Sequence, residues 1–181
     1  MSAEQSTSEH GWAALHVLLG QWVGVGEPGE GTGWFSFTPD VQEQILVRKN
    51  HADYPATVDR PAFFHDDLMI VYRDSPAKEP RAIYFDNEGH VIHYTVEVLE
   101  GGKTIQFLSE ISPSRPGYRL TYTLTNKDSL TLTFEIAPPG MPPTYSTYIE
   151  ARAARAEQLE HRSKIHREGA SPKNQVPEKC T

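Results

Sequence analysis

A chain of 181 residues, 38% of them hydrophobic, is long enough for one domain with its own core. Its net charge of −7 argues against partners that need a basic face, such as nucleic acid or an anionic membrane surface. A single cysteine, Cys180, excludes an intrachain disulfide framework and a cysteine-built zinc site.

The first Lys or Arg is Arg48, so the start of the chain lacks the charge of a secretory signal or a mitochondrial presequence. No apolar run reaches membrane-helix length. The expectation is a cytoplasmic protein without membrane insertion. Residues 1–9 are polar and are expected to be disordered. Trp12, Leu15 and Leu19 recur at helical spacing, with Ser8 as N-cap, and predict a short helix ending at Gly20.

The stretch from Leu18 to Phe37 is rich in glycine. Glu27 and Glu30 stand where a phosphate would need donors, and no helix follows, so a phosphate-cradling loop is rejected. Gly20, Gly24 and Gly26 instead share one strand face with Trp22. That face suits a strand that bends tightly or is approached closely by another, with residues 27–31 as its hairpin turn.

From Gln21 to about Ile149 the pattern has period two. Ile92, Tyr94, Val96 and Val98 alternate with His93, Thr95 and Glu97, which puts His93 outside. Tyr118 to Leu124 and Leu130 to Ile136 alternate in the same way, with turn signals at 86–89, 100–103 and 125–128. The even spacing predicts about ten half-buried antiparallel strands in an up-and-down barrel or sandwich. Residues 50–67, with Pro55 and Pro61, read as a long irregular stretch over a cavity. Tyr54, Phe63 and Phe64 there either line a mouth or pack the loop down.

The segment from Phe63 to Tyr94 carries the densest chemistry. A turn centred between Pro76 and Ala77 sets His65 opposite Glu88, Asp67 opposite Asp86, and Tyr72 opposite Arg81. A second turn at Glu88 sets Asp86 opposite His90 and Ile83 opposite His93. His65, Asp66, Asp67, Asp86, Glu88 and His90 then gather at one end of three strands. Of these, His65, Asp67, Asp86 and His90 are the candidate catalytic residues, as an acid/base pair or as ligands for Zn, Fe(II) or Mn. The plainer alternative is that Asp86, Asn87 and Gly89 form a turn and His90 begins a strand.

The end of the chain, from Tyr148, is Ala- and charge-rich and reads as a helix, with residues 170–181 disordered. The expected organisation is a disordered 1–9, a barrel over 10–150, and a helical then disordered tail over 151–181.

The motif Gly20-x-Trp22-x-Gly24-x-Gly26 after a short helix resembles the signature of nitrobindin-like proteins, within the lipocalin and fatty-acid-binding (calycin) group. The resemblance implies an all-β, calycin-like antiparallel barrel of about ten strands with a helix at its mouth. Nitrobindin-like proteins hold haem through a histidine near the end of the barrel. The matching stretch here has none, which leaves Tyr145 or Tyr148 as the alternatives for ferric iron.

The residues expected to line the lumen are Trp22, Phe35, Phe37, Ile92, Tyr94, Phe107, Tyr122 and Phe134. They suit a small, mostly hydrophobic ligand with one or two hydrogen-bonding groups. Three readings follow: a carrier or sensor of that ligand without a cofactor, a small enzyme built on the His/Asp cluster, or a filled barrel that docks partners. A second copy of the chain is a further candidate partner.

Overall fold

The computed structural model describes residues 11–26, 31–73, 75 and 79–157. Residues 11–15 form a helical turn that tightens into a 3-10 turn, His16–Leu18. Ten strands follow: β1 (Gly20–Gly24), β2 (Thr32–Asp40), β3 (Ile45–Tyr54), β4 (Phe63–Tyr72), β5 (Arg81–Asp86), β6 (Val91–Leu99), β7 (Thr104–Ser109), β8 (Gly117–Asn126), β9 (Ser129–Ala137) and β10 (Ser146–Arg155). Each pairs antiparallel with its neighbours in sequence, and β1 pairs with β10, so the sheet closes into a barrel. The all-β barrel expected from period-two patterning is what forms. Among the described residues no helix is long and apolar enough to cross a membrane.

The expected register is observed. Asp67 lies opposite Asp86, Tyr72 opposite Arg81, and Ile83 opposite His93. His93 is exposed on the outer wall. Strand alternation then fixes which residues face inward. On β3 these are Leu46, Arg48, Asn50, Ala52 and Tyr54, and on β4 they are Val71, Met69, Asp67, His65 and Phe63.

The glycines serve close approach. A Cβ on Gly33 would lie 2.7 Å from the His51 carbonyl oxygen, so only glycine fits where β2 crosses β3. Gly20 adopts φ of +101°, the kink between the helical turn and β1.

Three sequence expectations are corrected. Residues 151–155 are not helix but the second half of β10, which closes the barrel against β1. Pairing on both sides overrides the helix propensity of alanine. Only Ala156 and Glu157 turn helical, and residues 158–181 lie outside the described residues, as do 1–10 with Ser8. Residues 50–54 and 63–67 are strand, so the irregular stretch shrinks to residues 55–62. In the N-terminal turn, Leu18 rather than Leu19 is fully buried. The 3-10 turn has three residues per turn, so Trp12, Leu15 and Leu18 share one face.

That face plugs one end of the barrel. Trp12, Leu15 and Leu18 join Trp22, Phe35, Phe37, Leu46 and Tyr122 in one cluster. The Trp22 indole N–H donates to the Leu18 carbonyl at 2.9 Å. Arg155 fastens plug to barrel: Nη1 donates to Leu19 O (2.6 Å), Nη2 to Val17 O (2.8 Å) and Nε to Lys127 O (2.9 Å). Its guanidinium also lies 4.3 Å from the centroid of the Trp22 ring.

Candidate functional site

The barrel interior changes character along its axis. Near the plug the rings of Trp22, Phe35, Phe37, Phe107 and Tyr122 pack at centroid separations of 5.5 to 6.2 Å. Seven of the eight residues expected to line the lumen are buried core; the eighth, Phe134, is half-buried. They face inward, and those near the plug fill that half.

The opposite end is open. Ala151 shares the inward face of β10 with buried Ala153, yet it is exposed. Leu132, Phe134, Ile136, Tyr118 and Ile149 on the same wall are only half-buried. Tyr118 and Phe134 stack there at 6.1 Å and 6°. At the rim, Tyr54 stacks on Phe63 at 4.5 Å beside an open cleft of about 480 Å³ that also touches Gly31 and Ala62.

Across from this apolar wall stands a polar one, built by inward positions of three adjacent strands. Arg48 of β3 pairs with Asp67 of β4, and both side chains are 4% exposed. Asp67 Oδ2 lies 3.5 Å from His65 Nε2, which also meets the Tyr84 hydroxyl at 3.0 Å. Tyr84 donates to Asp86 Oδ2 at 3.3 Å, and His90 Nδ1 meets the same oxygen at 2.8 Å. His65 Nδ1 meets Glu88 Oε1 at 3.1 Å. The network runs from the dry interior, through His65, to Glu88 and His90 in solvent.

The four candidate residues therefore converge, but they divide the work. Asp86 Oδ1 accepts the backbone N–H groups of Glu88 (3.0 Å) and His90 (2.8 Å), so Asp86 also clamps the turn it begins. Half-exposed His90 leans on it from the rim. Asp66 points outward and instead holds His51 at 2.6 Å. His65 and Asp67 face the lumen.

Sequence reasoning missed Arg48 and Tyr84. Their signal was parity: Arg48 alternates with Leu46 inward, and Tyr84 alternates with Ala82. A lone arginine at an inward strand position needs a partner.

The charges follow from these contacts. The hydrogen bond to Asp67 raises the His65 pKa; burial opposes this, and Glu88 adds to it. Burial pushes Asp86 up, but the donors of His90 and Glu88 outweigh it and hold its carboxyl below the usual value. Burial raises the phenols of Tyr84 and Tyr94 well above 10 and that of Tyr122 to about 12, so all three remain neutral hydroxyls. The Arg48 guanidinium stays charged: burial works against it, and Asp67 together with Tyr122 and Tyr84 outweighs the burial.

Two buried polar atoms inside the barrel are left over, Arg48 Nε on β3 and the Tyr122 hydroxyl on β8. The Tyr122 hydroxyl faces the Arg48 guanidinium, but neither it nor Arg48 Nε has a partner in good hydrogen-bond geometry. Such orphans are uncommon in folded interiors.

His65 and the two tyrosines that stand in for the missing histidine are poorly placed for a haem iron. Both nitrogens of His65 are engaged, by Glu88 and by Tyr84. Tyr145 lies under the outward-facing Arg119, and Tyr148 is an exposed rim residue edge-on to Phe134. Among the described residues no group of three His, Cys, Asp or Glu side chains is disposed to hold a metal ion. No protein-family model matches the chain, and none of the curated proteins is recognisably similar to it.

Proposed function

We propose that the barrel binds a small, mostly hydrophobic molecule through its open end, as a carrier or sensor. The observation that carries this reading is the pair of buried groups without a partner in good hydrogen-bond geometry, Arg48 Nε and the Tyr122 hydroxyl, in a barrel whose inward-facing Ala151 is exposed. The apolar wall of Tyr118, Leu132 and Phe134 supplies contact area, and the polar wall supplies orientation. The nitrobindin-like signature at Gly20 to Gly26 agrees with a ligand barrel of this kind.

Saturation-transfer NMR of the full chain with a panel of benzene-sized molecules tests the reading. Binding is expected in the natural chain and is expected to be lost in Ala151→Trp, whose indole fills the opening. Binding that survives in Ala151→Trp, or none at all, contradicts it.

One observation favours a second reading, acid/base catalysis at His65. Its ring is 23% exposed at the mouth and backed by Asp67, a pairing that holds a proton ready for transfer. The discriminating result is product formation by the natural chain that His65→Gln abolishes while ligand affinity is retained.

A further inference from the structure

The two orphaned groups also say what kind of head group the lumen takes, an inference that rests on the ligand-binding reading above. Nε of arginine can only donate, and the Tyr122 hydroxyl beside it has a proton to donate. Both residues are buried, at 3% and 0% exposure, and both project into the barrel from inward strand positions. The tyrosine oxygen can accept from the arginine, and the hydroxyl proton then left over needs an acceptor from a ligand.

A carboxylate is the obvious acceptor for an arginine, but this arginine is already neutralised. Arg48 and Asp67 form a closed ion pair inside the barrel. The groups around it are neutral: Tyr84, Tyr94 and Tyr122 keep their phenolic protons, and Phe35 lies 5.6 Å from the guanidinium. His65, the next basic group, is occupied by Asp67 and Glu88. A ligand carboxylate would be a second buried anion sharing one guanidinium, and the cost of desolvating it would have no new cation to offset it. A carbonyl oxygen accepts the hydroxyl proton and carries no such cost.

We propose that the lumen site selects a neutral molecule bearing a hydrogen-bond-accepting oxygen, such as a ketone, over a carboxylate of the same shape. Three probes of one size separate the possibilities at neutral pH: acetophenone, benzoate and ethylbenzene, titrated into the full chain by calorimetry or ligand-detected NMR. Acetophenone is expected to bind at least about tenfold tighter than benzoate.

Tyr122→Phe removes one donor and no volume. It is expected to lower the acetophenone-to-ethylbenzene affinity ratio about tenfold and to leave ethylbenzene itself unchanged. Arg48→Lys keeps the charge, loses the Nε donor, and should lower the same ratio. Benzoate binding as tightly as acetophenone overturns the proposal. So does a ratio that neither variant moves, since those donors then hold only water. Failure of all three probes, ethylbenzene included, removes the ligand-binding reading itself, a different outcome from ligands that bind without regard to head group.

Discussion

On the plug side of Arg48 the barrel interior is ring against ring. Trp22, Phe35, Phe37, Phe107 and the ring of Tyr122 fill the space, the Tyr122 hydroxyl reaching Arg48 at the boundary, and Leu15 and Leu18 close the end. On the mouth side, Asp67, His65, Tyr84 and Asp86 meet through protons, while the facing wall of Phe134 and Ala151 is left partly bare. The two halves share the same strands and the same alternation. The difference teaches that closure and packing are separate achievements in a barrel. The ladders close the sheet through the short seam of β1 and β10, whereas side-chain volume fills it only where aromatic residues occupy inward positions.

If that division is real, the largest stability losses lie in the plug half. Trp22→Ala removes a fully buried indole and the seat of Arg155, and is expected to cost about 3–5 kcal/mol in urea denaturation. A loss below about 1 kcal/mol would mean that this half is not packed as described.

The ion pair between the halves sharpens the contrast. Asp67→Asn leaves the Arg48 charge buried and uncompensated, with an expected loss of about 3–5 kcal/mol. Arg48→Met combined with Asp67→Leu should recover most of that loss, because apolar side chains replace both charges. A double variant no better than the single one would place the stabilisation elsewhere.

Arg155→Ala comes next, at about 2 kcal/mol. It frees three carbonyls from a partly exposed guanidinium but leaves the apolar plug in place. Faster amide exchange at Leu18 and Leu19, with the mouth unchanged, is the accompanying signature.

The smallest effect is the pH response of the mouth. The pKa of His65 is raised above 6.5, so the stability gained from its proton is complete below 6.5 and is lost as pH rises through the folded value. Asp86 has the opposite sign: its contribution is present above 3.8 and is lost as pH falls through its lowered value. An NMR titration of the His65 ring should show its midpoint above 6.5 and a return toward 6.5 in Asp67→Asn. A midpoint unaffected by that substitution contradicts the contact.

Much of this was legible in the residues. Alternation and turn placement set the register from Phe63 to Thr95, because a slip of one residue would turn Met69, Val71 and Tyr94 into solvent. The gathering of His65, Asp67, Asp86, Glu88 and His90 followed from that register. What was not legible depends on closure. Tyr148 to Arg155 reads as helix in isolation, and only β9 and β1 on either side make it a strand. Arg48 was passed over because its partner, nineteen residues away, becomes visible only when β3 is laid against β4. The orphaned Tyr122 hydroxyl has no sequence signal, since a tyrosine in an aromatic face looks like another ring.

The central claim is that the open half of the barrel receives a ligand and the plugged half does not. Amide and methyl shift mapping during an acetophenone titration tests it most directly. Shifts are expected to concentrate at Arg48, Tyr122, Leu132 and Ala151, with Leu15 and Leu18 silent. Shifts confined to the outer wall, around Trp34, Phe64 and Phe85, or no shifts anywhere, would contradict it.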